Sequence, residues 1–247
     1  MSDVRSTCVV KAVLFDLDDT LVDSRHSRRS GLAAATKKCR CFQQMTLDEL
    51  ERDFAELLDK LQPKLLRGIV SLEESRAECF RQLFSLRSEE VSTRTAIAMA
   101  EVYRQTYRAA RRPISGALSL LRKLKSKVNI AVVSNNLVAE QREKLQCCGL
   151  EPFVDFLVVS EEVGIQKPEA GIFEAALKQV QCTATEAVMV GDSWHADILG
   201  AYGVGIRAVW FNRLGVPCPD PTLAIEINSY KPLVAVLDLL LKGLTKP

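Results

Sequence analysis

The chain has 247 residues, enough for a core domain with a smaller partner. Its 47% hydrophobic and 26% charged residues are the composition of a globular protein, not of a disordered one. A formal charge of +2, from 33 basic and 31 acidic residues, leaves no broad field for a nucleic acid polymer or an anionic membrane. No apolar run approaches the length of a membrane span. The eight cysteines form no Cys-x-x-Cys pair, and His26 and His195 lie far apart, so a structural zinc site has no support. Reduced thiols and a cytoplasmic location are the expectation.

The first predicted element is a strand over Val9 to Phe15; the apolar stretch from Cys8 is short, broken by Lys11, and reads as a buried strand and not a leader. The next region, from about 24 to 112, is rich in Leu, Ala, Glu, Arg and Lys. Leu47, Leu50, Phe54, Leu57, Leu58 and Leu61 recur at three- and four-residue spacing, which predicts an amphipathic helix. Thr46 is its expected cap, with Glu49 as the capping-box partner. Ala96 to Tyr107 reads as another helix.

From Pro113 on, the pattern alternates. Helices are expected over 115–126, 139–148, 169–179, about 194–202 and 232–241. Strands are expected over 128–133, 156–159, 187–190 and 206–211. Gly149 closes the second of these helices. Such alternation implies an α/β class, a Rossmann-like parallel sheet with helices on both faces. The helical region is then an insert: residues 1–22 and 113–247 form the core, and 23–112 a separate helical domain.

Four of the predicted core strands are followed by a polar cluster. The first ends in Asp16-Leu17-Asp18-Asp19-Thr20, the second in Ser134-Asn135-Asn136; Lys167-Pro168 follows the third, and Gly191-Asp192 with Asp197 follows the fourth. Ligands bind at this end of parallel sheets. Asp16 and Asp18, two apart on an extended chain, can point to one side. With Asp192 they would make three converging carboxylates, which repel without a cation. Magnesium resolves that, because it takes carboxylates together with substrate phosphate. Asp16 could then attack phosphorus, Asp18 could move the proton, and Lys167 and Ser134 could hold the phosphoryl oxygens.

These motifs resemble the haloacid dehalogenase superfamily of phosphohydrolases over nearly the full length. The resemblance implies that Asp16 is nucleophile and metal ligand, and that Asp18 is the acid/base and a ligand through its backbone carbonyl. It implies that Ser134 and Lys167 bind phosphate with Asn135 beside them, and that Asp192 is the third metal ligand. Thr20 supports the loop and is grouped with the substrate-binding residues. Asp197 steadies either the metal or Lys167, its place being open because five residues do not fall on one helix face. The insert matches the family's helical cap, which closes over the site and chooses the substrate.

Ser27-Arg28-Arg29 and Gln141-Arg142-Glu143-Lys144 resemble N-acylneuraminate-9-phosphatases, while Val159 to Gly164 resembles pyrimidine nucleotidases. Arg28 is a candidate clamp for a substrate carboxylate or second phosphate, or part of a solvated helix face. His195 reads as a rim residue, and Trp194 as either a lining or a core residue. The expected activity is magnesium-dependent hydrolysis of a small phosphorylated metabolite, such as a sugar or N-acylneuraminate 9-phosphate. The alternatives are a 5'-nucleotidase, a phosphomutase, or a non-enzymatic binding protein on the same scaffold.

Overall fold

The computed structural model describes residues 9–242; Cys8 and the remaining terminal residues assigned above to the core lie outside the described residues. The chain forms two compact units. One comprises Met1–Val22 with Pro113–Pro247, and the other Asp23–Arg112.

The first unit is built on six parallel strands: β1 (Ala12–Phe15), β2 (Asn129–Ser134), β3 (Phe156–Val159), β4 (Ala187–Gly191), β5 (Arg207–Phe211) and β6 (Ala224–Ile227). They lie in the order β3-β2-β1-β4-β5-β6, so β1 and β4 are neighbours at the centre. All four residues of β1 and all five of β4 are buried, which is why both read as unbroken apolar runs. Alternate residues feed opposite faces. Val13 and Phe15 join a core with Leu120, Leu121, Val132 and Val190. Ala12 and Leu14 join the other with Ala131, Ile172, Phe173 and Met189. Parallel pairing throughout sets every strand's carboxyl end on one edge of the sheet, and the polar clusters fall there.

β6 was not expected from the sequence. Its Ala-Ile-Glu-Ile carries a glutamate, follows Pro217, Pro219 and Pro221, and among the described residues pairs only with β5, as an edge strand. The short α8 (Ser160–Val163) was not expected either. The helices α6 (Ala117–Leu124), α7 (Val138–Cys147), α9 (Ala170–Val180) and α11 (Leu233–Leu241) fall within a few residues of expectation. The expected helix near 194–202 instead splits into a π-helical turn, Trp194–Leu199, and the short α10, Gly200–Gly203.

The second unit contains α1 (Ser24–Lys38), α2 (Arg40–Gln43), α3 (Leu47–Leu66), α4 (Leu72–Ser85) and α5 (Thr93–Ala109), inserted between β1 and β2. Thr46 and Glu49 form the expected capping box on α3, and Ser71 with Glu74 forms another on α4. Leu50, Phe54, Phe80, Leu83 and Tyr103 are core residues of this unit. Its two ends are tied together: Asp23 caps α1, and its carboxylate accepts from Arg112 Nη2 at 2.7 Å and Nε at 3.0 Å. Gly31 lets α1 approach α5, because a Cβ there would fall 2.6 Å from the Tyr103 ring.

Candidate active site

The loop after β1 departs from extended geometry at once. Leu21 and Val22 both donate their backbone N–H to Leu17 O at 2.9 Å. Asp19 takes the left-handed conformation (φ 61°), which aspartate tolerates better than most residues. This turn corrects the expected convergence of Asp16 and Asp18. Only Asp16 stays with the sheet edge and points into the carboxylate group. The Asp18 carboxylate turns to α7, where it meets Lys144 Nζ at 2.6 and 2.7 Å and Gln141 Nε2 at 2.9 Å.

Lys167 is the centre of the buried charge. Its Nζ donates to Asp16 at 2.6 Å, to Asp197 at 2.6 Å and to Val133 O at 2.8 Å. Asn135 fixes the lysine's backbone from both sides, accepting from Lys167 N at 2.7 Å and donating to Lys167 O at 2.8 Å. Asn135 therefore acts on the Lys167 loop, and α7 begins after Leu137 with no side-chain cap. Ser134 is buried and accepts from Gln141 Nε2.

Asp197 joins the site because of the π-turn. Ile198 N reaches back five residues to Ser193 O at 3.3 Å, and Ser193 N donates to the Asp197 carboxylate at 3.0 Å. The five-residue spacing, awkward for an α-helix, suits this turn. The approach is so close that a Cβ on Gly191 would lie 2.3 Å from Asp197 Oδ2 and 2.4 Å from its Cβ. Asp192 is held by partners on two sides: Thr20 Oγ1 donates to its carboxylate at 3.4 Å, and Trp210 Nε1 donates to its carbonyl at 2.8 Å.

Thr20 is fully buried and, through its bond to Asp192, supports the loop. Tyr230 OH donates to Thr20 O at 3.1 Å. Trp194 packs edge-on against Trp210 at 5.1 Å and lies half-buried against the core, while His195 is exposed. Arg28, in the helical unit, sits with Arg25 and Arg29 around Glu51, its Nε 3.5 Å from that carboxylate.

Asp16, Asp192 and Asp197 each offer an oxygen within 4.8 Å of the others. Burial, with the charges of Asp16, Asp197 and Asp19, pushes the Asp192 carboxyl up to about 9 against the pull of Lys167. Burial also pushes Asp16 up to about 7; Lys167 lowers it, and the Asp197 and Asp18 charges raise it. Burial alone would lower Lys167, but Asp16 and Asp197 outweigh it and keep the ammonium charged. The group is short of positive charge, and its donors are hard oxygens. These residues fit a small divalent cation of the magnesium kind. No described helix is long and apolar enough to cross a membrane.

Sequence reasoning missed Trp210 and Tyr230, and it noted Gln141 and Lys144 only within a run that resembles N-acylneuraminate-9-phosphatases, not as partners of Asp18. Lys144, Gln141 and Tyr230 lie more than a hundred residues along the chain from Asp18 or Thr20, and no local pattern marks such pairings.

Residues 10–205 match the family described as haloacid dehalogenase-like hydrolase. Glyceraldehyde 3-phosphate phosphatase of Methanothermobacter thermautotrophicus is 35% identical over 207 residues, 83% of this chain and 86% of that protein. Ribulose-1,5-bisphosphate 5-phosphatase of Halopiger xanaduensis is 32% identical over 204 residues, 81% of this chain and 84% of that protein. The magnesium-bound crystal structure of the HAD-hydrolase YfnB of Bacillus subtilis shares the fold. Its TM-score is 0.71 at 24% identity, over 93% of this chain and 99% of that one.

Proposed function

The chain belongs to the haloacid dehalogenase-like hydrolases, and from that membership we propose that it hydrolyses a small phosphomonoester through a covalent phosphate on Asp16. The observation that carries this reading is Asp16 itself, buried at the carboxyl end of the central strand, 2.6 Å from Lys167 and grouped with Asp192 and Asp197.

In this reading an Asp16 oxygen attacks phosphorus as the bond to the leaving oxygen breaks, giving an acyl phosphate and an alcohol. Asp18 donates the proton that the leaving oxygen takes up, then removes one from the water that releases phosphate. Lys167 and the Ser134 hydroxyl hold charge on the phosphoryl oxygens. Asp197 fixes the lysine, and Asn135 fixes the lysine's backbone. Asp16 and Asp192 would hold magnesium with the Asp18 carbonyl, Asp197 standing beside them. The ion would neutralise the carboxylates and draw charge from the phosphoryl group.

The relatives named above act, by their names, on a phosphorylated triose and a phosphorylated pentulose. We therefore assign a sugar phosphate, acylneuraminate phosphates included, as the substrate class. The helical insert follows the first site strand, the position of a cap, and substrate choice is assigned to it. The test is phosphate release from a panel of sugar phosphates, an acylneuraminate phosphate and nucleoside monophosphates, with magnesium or with chelator. Magnesium-dependent release, greatest on a sugar phosphate, is expected. Release only from nucleoside monophosphates would replace the substrate class, and a folded protein that releases phosphate from none would overturn the activity.

A further inference from the structure

Asp16 and Asp18 share one loop, yet each faces a different buried lysine. Asp16 meets Lys167; Asp18 meets Lys144, which donates to both carboxylate oxygens at 2.6 and 2.7 Å. The chemistry above employs Lys167 and gives Lys144 no task. Lys144 lies on α7 three residues after Gln141, so both side chains share one helix face. Lys144 is 2% exposed and Gln141 is fully enclosed. Gln141 Nε2 bridges two loops of the site, donating to Asp18 Oδ2 at 2.9 Å and to Ser134 Oγ.

Taking an ammonium out of water is costly, and an apolar residue at this position would pack α7 without that cost. Leu145, the next residue, does so in the core. What the lysine adds is geometric. Two bonds from one amine and one from an amide fix both the position and the plane of the Asp18 carboxylate.

We propose that Lys144, seconded by Gln141, is a positioning residue that orients Asp18 for proton transfer to the leaving oxygen. The inference rests on the phosphatase reading given above. In the step concerned, the bond from an Asp16 oxygen to phosphorus forms, the bond from phosphorus to the leaving oxygen breaks, and the proton travels from the Asp18 carboxyl to that oxygen. Lys144 exchanges no proton; it keeps the carboxyl where the leaving oxygen departs.

A leaving group that departs without a proton separates positioning from support of the fold. The experiment measures kcat/KM, with magnesium, on an alkyl phosphate such as a sugar phosphate and on 4-nitrophenyl phosphate. This quantity reports steps only up to departure of the alcohol or phenol, so the shared hydrolysis of the acyl phosphate drops out. Lys144→Met is expected to lower the ratio of alkyl to aryl kcat/KM by about tenfold or more, less than the full 10²–10⁴-fold of a general acid because Asp18 itself remains. Lys144→Arg keeps a charged donor and is expected to restore most of the ratio. In an Asp18→Asn background, Lys144→Met is expected to change the ratio no further, because both act through one carboxylate.

Equal losses on both esters, or a loss that adds in full to that of Asp18→Asn, would overturn the positioning role. If Lys144→Met does not fold by circular dichroism, Gln141→Leu carries the same test: a smaller fall of the same ratio is expected, and an unchanged ratio would overturn the proposal. Wild-type protein that hydrolyses neither ester would instead overturn the phosphatase reading on which it stands.

Discussion

The two units place their charges differently. In the helical unit several arginines meet acids at the surface: Asp48 and Glu73, partners of Arg29 and Arg104, have side chains 77% and 73% exposed, while Glu51, shared by Arg25, Arg28 and Arg29, is 10% exposed. In the α/β unit the Lys167 and Asp197 side chains are 3% and 1% exposed, and Lys144 is equally enclosed against Asp18. Exposed ion pairs contribute little and follow from sequence bias alone. Buried charges are costly for the fold, and their gathering at one edge of the sheet points to chemistry. The helical unit should accordingly owe its stability to apolar packing, and the α/β unit should carry charges that matter for turnover.

The largest expected effect is on turnover. Asp16→Asn should reduce magnesium-dependent phosphate release by about 10⁴-fold or more while the fold survives, since a covalent route cannot proceed without its nucleophile. Near-normal release by the variant would break the contrast at its strongest point.

Next is the core of the helical unit. Phe80 is fully buried and stacks near Phe54 and Tyr103, with ring centroids 5.5 and 5.7 Å away. Phe80→Ala should cost about 3–5 kcal/mol in denaturant unfolding. Gly191→Ala comes third, at about 1–3 kcal/mol, because the new methyl must displace Asp197 and with it the Lys167 arm. Its turnover should fall as well, which thermal melting and phosphate release together would show.

A smaller effect concerns pH. Asp192 titrates at about 9 and Asp16 at about 7 in the metal-free fold, both above an unfolded carboxyl at about 4. The folded protein therefore holds more protons than the unfolded chain within that window, and its stability falls as pH rises through it. Magnesium binds the ionised carboxylates, so the rise in Tm on adding it should be larger near pH 8 than near pH 5. Equal shifts would show that the carboxylates are not the binding group. Least of all, Asp48→Ala should leave the unfolding midpoint close to that of wild type, despite the ion pair with Arg29.

Much of the α/β unit was legible because buried parallel strands read as short apolar runs and their polar ends fall at fixed places along the chain. The strand Ala12–Phe15 and the cluster that follows it show both signals in nine residues. β6 escaped because an edge strand with a glutamate lacks the apolar run. The place of Asp197 was left open because the π-turn breaks the helical period on which spacing arguments rest. Asp18 was read as converging with Asp16, since alternation holds in a strand and fails in the turn that begins at Leu17. Lys144 stood in a run noted only for a family resemblance, and its pairing with Asp18 carried no local mark, because a buried lysine on a helix has the same sequence signature as a solvated one.

The most direct test of the account is rapid acid quench during turnover of a sugar phosphate labelled in its phosphoryl group, followed by peptide mapping. The account predicts a hydroxylamine-labile phosphate on the peptide that contains Asp16, formed only with magnesium and absent from Asp16→Asn. Rapid turnover with no label on that peptide, or a label that persists in Asp16→Asn, would contradict it.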